Sequence, residues 1–209
     1  MAQPNAEPVS IAILAKAPVA GLAKTRLIPA LGAHGAAVLA ERFIERGVAT
    51  AIAADVGPVV LWATPEPSHR CFRDLAAQCP LTLATQPAGD LGARMLAAIQ
   101  AANGPVIVIG TDCPALAAEH LRQAAAALRD GHDVVIAPAE DGGYVLIAAA
   151  RPCPELMTGM AWSTAQVMAQ TRARAARHGL RLHELPMLWD VDEPADLDRL
   201  EQEFPDLAP

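Results

Sequence analysis

The stretch PVIVIGTDCP, residues 105–114, decides the fold. It begins with four β-branched residues in a row, Val106 to Ile109, a pattern typical of a strand that is buried on both faces. Gly110 then frees the backbone, and Pro114 stops the strand because it has no backbone N–H to donate. Asp112 is therefore expected at the carboxyl end of a central strand, where open α/β sheets bind ligands. We expect Asp112 either to hold a divalent metal or to cap the following helix.

Size and composition predict one globular α/β domain. The chain has 209 residues, of which 53% are hydrophobic and 19% charged, which is enough apolar material for a real core. The net charge of -7 and the aromatic content of 3% argue against a nucleic-acid binder. The four cysteines form no C-x-x-C pair, so neither a zinc finger nor a disulfide scaffold is expected.

Strand and helix patterns alternate along the chain. They predict an α/β fold, a three-layer αβα sandwich around a Rossmann-like mixed sheet of about seven strands. The predicted strands are residues 9–15, 58–64, 81–85, 105–109, 132–138, 143–149 and 180–185. The predicted helices are residues 34–54, 68–77, 91–102, 117–129 and 163–178, with a last one starting near Pro194. The fifth and sixth strands are separated only by AEDG, too short for a parallel crossover, so the sheet is expected to be mixed.

The beginning of the chain predicts a flexible tail over residues 1–8, ahead of a single domain over residues 9–204. The tail has neither the basic region nor the apolar core of a signal peptide. We also expect no apolar run close to the roughly 18–20 residues that span a bilayer. These features predict a cytoplasmic protein with no membrane partner, and they leave its oligomeric state open.

The loop after the first strand, KAPVAGLAKTRL at residues 16–27, carries three cations. It is not a P-loop, because Pro18 and Ala23 stand where glycine is needed. Backbone N–H groups and basic side chains in such a loop can surround phosphates, whereas the alternative is ordinary solvated surface charge. The candidate phosphate-binding residues are Gly21, Lys24, Thr25 and Arg26.

The segment QPAGDLGARM, residues 86–95, enters the third helix. Gln86 offers a donor and an acceptor, as recognition of a base edge requires, and Arg94 could reach a phosphate. Gly92 permits close approach of a ligand to the backbone. The alternative is a glycine turn in which Asp90 caps the helix.

The segment EDGGY, residues 140–144, leads into the sixth strand. Asp141 would face the same end of the sheet as Asp112, as a general base or as a partner for a sugar hydroxyl. Gly142 and Gly143 suit a ligand pressed against the backbone. A plain Asp-Gly turn is the alternative.

The segment WDVDEPADL, residues 189–197, carries two further carboxylates. Asp190 and Asp192 lie two apart, so in an extended chain they face the same side. With a third carboxylate they could hold Mg²⁺ or Mn²⁺, which favour oxygen ligands and usually retain water and substrate phosphates. The alternative is that Asp192 caps the last helix.

Five motifs in order, GLAKTRL, GTDCP, EDGGY, WST at residues 162–164 and DVDEPADL, resemble a bacterial glycosyltransferase-A-like family formerly of unknown function. Some of its members carry the name arsenosugar-biosynthesis glycosyltransferase. The family is part of the nucleotide-diphospho-sugar transferase superfamily, which implies the GT-A fold and a bound nucleotide. The resemblance implies phosphate contacts from Gly21, Lys24 and Arg26 and nucleobase contacts from Gln86 and Gly92. It also implies a substrate contact from Trp162.

The resemblance further assigns Asp112 to the metal, with Asp190 or Asp192 completing the site. Unlike the DxD signature, the T-D-C segment gives Asp112 no acidic partner two residues away. The implied enzyme is a metal-dependent glycosyltransferase that uses a nucleotide sugar and a small-molecule acceptor, with Asp141, Lys24 and Arg26 as catalytic residues. A guanylyltransferase-like nucleotidyltransferase acting on a nucleoside triphosphate, or a non-catalytic nucleotide-binding protein, are the alternatives.

Overall fold

The computed structural model describes residues 7–208 and contains one seven-stranded sheet. The strands are β1 Ser10–Lys16, β2 Val59–Thr64, β3 Leu81–Thr85, β4 Val106–Ile109, β5 Val134–Pro138, β6 Tyr144–Ala149 and β7 Leu182–Glu184. Their order across the sheet is β3-β2-β1-β4-β6-β5-β7. The predicted α/β class and mixed seven-stranded sheet are confirmed.

Strand direction determines where ligands can bind. Of the strands in residues 7–208, β6 alone runs against its neighbours: it is antiparallel to β4 and β5, and every other pairing is parallel. The short link over residues 139–143 causes this reversal, as predicted. One edge of the sheet therefore collects the carboxyl ends of the six parallel strands and the amino end of β6.

Helices cover both faces of the sheet. They are α1 Ile28–Ala54, α2 Arg70–Gln78, α3 Leu91–Ala101, α4 Ala118–Arg129, α5 Pro154–Met157, α6 Val167–Arg177 and α7 Asp196–Glu203. Side chains alternate along β4, so Ile107 and Ile109 join a core with α1, α2 and α4. Val106 and Val108 join a second core with α3, α5 and α6. The predicted three layers are thus present.

Two helix starts differ from prediction. Helix α1 begins at Ile28 and not at residue 34, because Pro29 is well suited to the first turn, and the helix bends where Gly32 takes a non-helical φ of 69°. The helix start predicted at residue 163, where Ser163 and Gln166 have the spacing of a capping box, is wrong: Ser163 has a left-handed φ of 60°, and α6 starts only at Val167. The short helix α5 was not predicted.

Helix α1 also corrects the expectation about apolar runs. By length and composition alone, Thr25–Ala54 could cross a membrane, with a mean hydropathy of 1.3. A core helix of a soluble protein passes the same test, and Ile44, Val48 and Ala51 of α1 are buried in the core beneath β1. The absence of a membrane partner and the cytoplasmic location stay predictions.

The predicted tail lies mostly outside the described residues, which begin at Glu7. Val9 is already part of the fold: it is buried, and its N–H donates to the Val56 carbonyl at 2.9 Å. The division into a tail and a single domain over residues 9–204 stays a prediction.

Candidate functional site

An acidic rim forms where β4 ends. Asp112 follows β4, and the segment carrying Asp190 and Asp192 lies beside it, because the Val191 N–H donates to the Asp112 carbonyl at 2.9 Å. This backbone bond joins two segments that are far apart in sequence. The structure thus brings together the carboxylates that were predicted to meet.

Lys24 is the cation at the centre of this rim. Its ammonium lies 2.8 Å from Asp112 Oδ1 and 3.4 Å from Asp192 Oδ1, and it donates to the Val191 carbonyl at 2.5 Å. The side chain is only 7% exposed, whereas Asp112 and Asp192 are about half exposed. Lys24 takes a left-handed φ of 45°, which is uncommon for a residue other than glycine. The buried ammonium of Lys24 therefore ties the first loop to the rim.

Asp192 is neutralised from two sides. Arg26 Nη1 lies 3.0 Å from Asp192 Oδ2 and 3.5 Å from the Glu193 carboxylate. The predicted alternative, in which Asp192 caps the last helix, is not what the structure has. Instead the Asp196 carboxylate accepts from the backbone N–H groups of Asp192 and Glu193, at 2.8 and 2.7 Å. Asp192 is thus the anionic partner of the first-loop cations.

Asp190 is in a different electrostatic position. Burial, together with the neighbouring charges of Asp141, Asp192 and Asp112, raises the pKa of its carboxyl to about 6. A carboxylate crowded by like charges gains most from a bound cation. Asp190 is therefore the better of the two candidates to complete a metal site with Asp112.

A cleft of about 590 Å³ opens beside the rim. Its size suits a nucleotide-sized ligand. Among the predicted site residues, its lining includes Lys24, Gln86, Arg94, Asp112, Asp141, Gly143, Trp162 and Asp190. A second cleft of about 550 Å³ adjoins it and shares Asp141 and Asp190 with it. Arg26 and Asp192 line that second cleft, so the rim separates two compartments.

Asp141 faces both clefts. Its Oδ1 accepts from the Gly143 N–H at 2.8 Å, which fixes the carboxylate within the predicted Asp-Gly turn. The side chain stays exposed on this turn. The turn therefore does not exclude a functional role for Asp141, since one carboxylate oxygen fixes the loop and the other is available.

Gln86 stabilises the fold in addition to lining the cleft. Its amide nitrogen donates to the carbonyls of Ala15 and Trp62, at 3.1 and 2.8 Å, tying the ends of β1 and β2 together. Its oxygen accepts from Arg94 Nη1 at 3.3 Å. The predicted base contact would have to use the remaining lone pair of this oxygen. Asp90 caps α3, as predicted, by accepting from the Ala93 N–H at 2.8 Å.

Two predicted ligand glycines lie close to other segments of the protein. A Cβ on Gly92 would lie 2.6 Å from the Met157 carbonyl oxygen and 2.7 Å from the Trp162 ring, so Gly92 makes room for α5 and Trp162. Gly142 has a φ of +88°, and a Cβ there would overlap the Ala165 carbonyl. Gly21 and Thr25 are exposed and line neither cleft. These four residues stay predictions as ligand contacts.

Tyr144 also lines the main cleft and was not singled out from sequence. Lys16 lines it too; it is one of the three cations noted in the first loop, but it was not among the candidate phosphate-binding residues. Tyr144 directly follows Gly143, so its place beside a predicted ligand loop was a usable signal. Burial raises the pKa of its hydroxyl, so it remains a neutral donor. Lys16 is the last residue of β1, so it lies at the carboxyl ends of the strands, where ligands bind. That position could have identified it from the sequence.

The donor set fits a small divalent cation. No three His, Cys, Asp or Glu side chains within residues 7–208 already converge as a complete metal site. Mg²⁺ and Mn²⁺ need only one or two carboxylates when water and substrate phosphates supply the rest. Lys24 engages Oδ1 of Asp112, which leaves Oδ2 available next to the crowded Asp190. Asp112 and Asp190 are thus the residues that would hold it.

The sequence model of the DUF2064 family, described as an uncharacterized protein conserved in bacteria, matches residues 47–164. The chain belongs to this family. The matched segment contains Gln86, Asp112 and Asp141, whereas Lys24 and Asp190 lie outside it. Among curated proteins, none matches the chain significantly.

Solved structures share the fold of this DUF2064 member over nearly its whole length. A protein from Desulfovibrio desulfuricans, provisionally named a nucleotide-diphospho-sugar transferase, has 29% identity and a TM-score of 0.82, covering 94% of this chain and 88% of its own. CMP:2-keto-3-deoxy-manno-octonic acid synthetase, solved with CTP, has 13% identity and a TM-score of 0.60, covering 96% and 99%.

The protein Rv0371c of Mycobacterium tuberculosis, solved with manganese, has 15% identity and a TM-score of 0.54, covering 93% and 99%. The two more distant structures support the fold alone. The suspected family and the predicted nucleotide-diphospho-sugar transferase fold are confirmed.

Proposed function

We propose that this protein is a metal-dependent glycosyltransferase that uses a nucleotide-sugar donor and a small-molecule acceptor. One observation carries the proposal: buried Lys24 joins Asp112 and Asp192 at a rim where a 590 Å³ cleft meets a second one. Two adjoining clefts suit two substrates, and the shared Asp141 and Asp190 would stand where the substrates meet. The resemblance to the Desulfovibrio protein supports a donor of this class.

In this proposal the nucleotide sugar occupies the main cleft with its diphosphate at the rim. A divalent cation on Asp112 and Asp190 would neutralise the charge that develops on the leaving diphosphate. Lys24 and Arg26 add positive charge at the same place, with Arg26 exposed enough to turn from Asp192 towards a phosphate. Arg94 offers a third cation on the cleft wall.

The acceptor occupies the second cleft. In an inverting transfer, Asp141 accepts the proton of the acceptor hydroxyl as the hydroxyl oxygen bonds to the anomeric carbon. The bond from that carbon to the phosphate oxygen breaks, and the nucleoside diphosphate leaves. Asp141 suits this step because its carboxylate lines both clefts.

Nucleotidyl transfer is the second candidate, since CMP:2-keto-3-deoxy-manno-octonic acid synthetase shares the fold and was solved with CTP. In that reaction an acceptor oxygen attacks the α-phosphate of a nucleoside triphosphate, and pyrophosphate leaves. The two reactions differ in product. Release of a nucleoside diphosphate from a sugar nucleotide supports glycosyl transfer, whereas release of pyrophosphate from a nucleoside triphosphate supports nucleotidyl transfer. Nucleotide binding without either product supports a non-catalytic nucleotide-binding protein.

Asp112→Asn tests the metal site within this function. A panel of nucleotides and sugar nucleotides is screened by thermal shift with and without Mn²⁺. A ligand at about 100 times its Kd stabilises the wild type by about 2.7 kcal/mol, which is roughly 5–10 °C for a chain of this size. We expect Asp112→Asn to lose the Mn²⁺-dependent part of this shift, measured from its own ligand-free melting temperature. That ligand-free melting temperature should itself fall, because nearly buried Lys24 keeps only Asp192 as a carboxylate partner.

Asp198→Asn is the matched control, because Asp198 is an exposed carboxylate on α7 that lines neither cleft. It should retain the full shift. Survival of the Mn²⁺-dependent shift in Asp112→Asn would show that the metal assignment is wrong.

A further inference from the structure

Two polar atoms in the wall of the main cleft are buried without a partner. The Tyr144 hydroxyl and the Trp162 indole Nε1 make no hydrogen bond with any described residue. The two rings meet edge to face, with centroids 6.2 Å apart and planes at 88°. Buried polar groups in folded proteins nearly always have partners, so an adjacent pair of exceptions requires a reason.

Packing supplies no reason for the Tyr144 hydroxyl. A phenylalanine ring would fill nearly the same space without burying an unpaired polar atom. The fold does satisfy a buried hydroxyl elsewhere: Thr171 is fully buried, and its Oγ1 donates to the Val167 carbonyl at 2.8 Å. The unpaired groups of Tyr144 and Trp162 therefore lie where a ligand, and not the protein, would supply the hydrogen-bond partner.

We propose that Tyr144 and Trp162 form the subsite for the sugar of the donor, an inference that rests on the proposed function. Tyr144 opens β6 directly after the turn that carries Asp141, the residue shared by both clefts. The pair thus stands on the sugar side of the rim that holds the diphosphate. Aromatic rings pack against the C–H face of a sugar, while the O–H and N–H groups donate to its hydroxyl oxygens.

Trp162 also controls access to this subsite. Its ring packs on Gly92, and both unpaired atoms are closed off from solvent. The sugar reaches the Tyr144 hydroxyl after the indole turns away from Gly92. The side chains of the residues that follow Trp162, from Ser163 to Gln166, are exposed and do not oppose this movement.

Tyr144→Phe and Trp162→Phe test the subsite, because each removes one donor and keeps an aromatic ring. Melting temperatures and Kd values are measured with Mn²⁺ for two matched ligand pairs, UDP-glucose with UDP and GDP-mannose with GDP. We expect Tyr144→Phe to raise the ligand-free melting temperature by about 2–4 °C, because an unpaired buried hydroxyl is gone. Its affinity for the sugar nucleotide should fall about tenfold, with affinity for the nucleoside diphosphate unchanged.

Thr171→Val is the matched control, since it removes a buried hydroxyl that already has a partner. It should not raise the melting temperature, and its preference for sugar nucleotide over nucleoside diphosphate should equal that of the wild type. A merely structural tyrosine would behave in the same way as this control. A rise in melting temperature together with a fall in sugar-nucleotide affinity therefore distinguishes a hydroxyl that binds the ligand from one that only stabilises the fold.

Four results would overturn the subsite. A lower melting temperature for Tyr144→Phe would assign the hydroxyl to folding. Unchanged sugar-nucleotide affinity in both variants would refute the contact while leaving the proposed function intact. An equal loss for UDP and UDP-glucose would place the pair against the nucleotide and not the sugar. If no nucleotide binds the wild type at all, the proposed function fails, and the subsite fails with it.

Discussion

Replacing Lys24 by Met should make the protein less stable and the rim more attractive to metal. At 2.8 Å from Asp112, the ammonium gains a gross attraction of about 6 kcal/mol at an effective dielectric constant of about 20. Loss of hydration at this nearly buried group offsets much of that gain, and the half-exposed carboxylates recover water once it is removed. We expect a net loss of about 2 kcal/mol in the free energy of unfolding.

Urea denaturation without metal measures this loss, which corresponds to roughly 4–8 °C in melting temperature. Titration with Mn²⁺ alone measures the second effect. Because the variant lacks the cation that competes for Asp112, its Mn²⁺ affinity should rise about tenfold, equivalent to about 1.4 kcal/mol. Lys16→Met is the control: Lys16 lines the same cleft but forms no ion pair with a described residue.

An unchanged free energy of unfolding in Lys24→Met, matching that of Lys16→Met, would refute the idea that Lys24 neutralises the rim. Unchanged Mn²⁺ affinity would show that the metal does not use Asp112. The two measurements are independent, so each part of the reasoning can fail alone.

Two more substitutions test the site and its support. The pKa of Asp190 is raised to about 6, so between roughly pH 4 and 6 the folded protein keeps a proton that the unfolded chain releases. Stability should therefore fall as pH rises through this window, by about 1 kcal/mol after solvent screening, and Asp190→Asn should abolish that fall in urea titrations. A pH profile identical to wild type would contradict the assignment. Gly142→Ala should cost at least 2 kcal/mol, because it combines a left-handed φ with overlap on the Ala165 carbonyl. Gly21→Ala, with a similar φ and open space, should cost only about 1 kcal/mol, and equal costs would contradict this reasoning.

The sheet was predictable because its signals are local. Four β-branched residues mark β4, and the short link over residues 139–143 forces β6 to reverse. Asp90 was predictable as a cap, since its side chain serves a backbone N–H only three residues away. Such features depend only on residues that are close together in the sequence, so they can be predicted from it.

The parts that the sequence did not show depend on distant contacts. Ser163 and Gln166 have the spacing of a capping box, yet the Met168 backbone N–H donates to the Gly142 carbonyl, and α6 begins only at Val167. Gly92 and Gly142 stay predicted ligand contacts, but the sequence did not show that each also gives room to another segment of the chain. Sequence shows that a glycine is needed without showing what approaches it.

Lys24 illustrates the same limit in the site. Its charge and loop were visible, so a phosphate contact could be predicted. Its burial between Asp112 and Asp192 could not, because it depends on the bond between Val191 and Asp112. Asp190 and Asp192 were equivalent in sequence for the same reason, and only their surroundings separate them.

The two ends of the parallel strands differ in what lies beside them. The clefts lie at the carboxyl ends, while the first described residues lie at the amino end of β1, where the Glu7 carbonyl accepts from Arg129 Nη2 at 3.2 Å. The length of β1, about 20 Å, separates this entrance from Lys16 at the cleft wall. A fluorophore or a surface anchor attached ahead of Glu7 would therefore leave both clefts open to the medium.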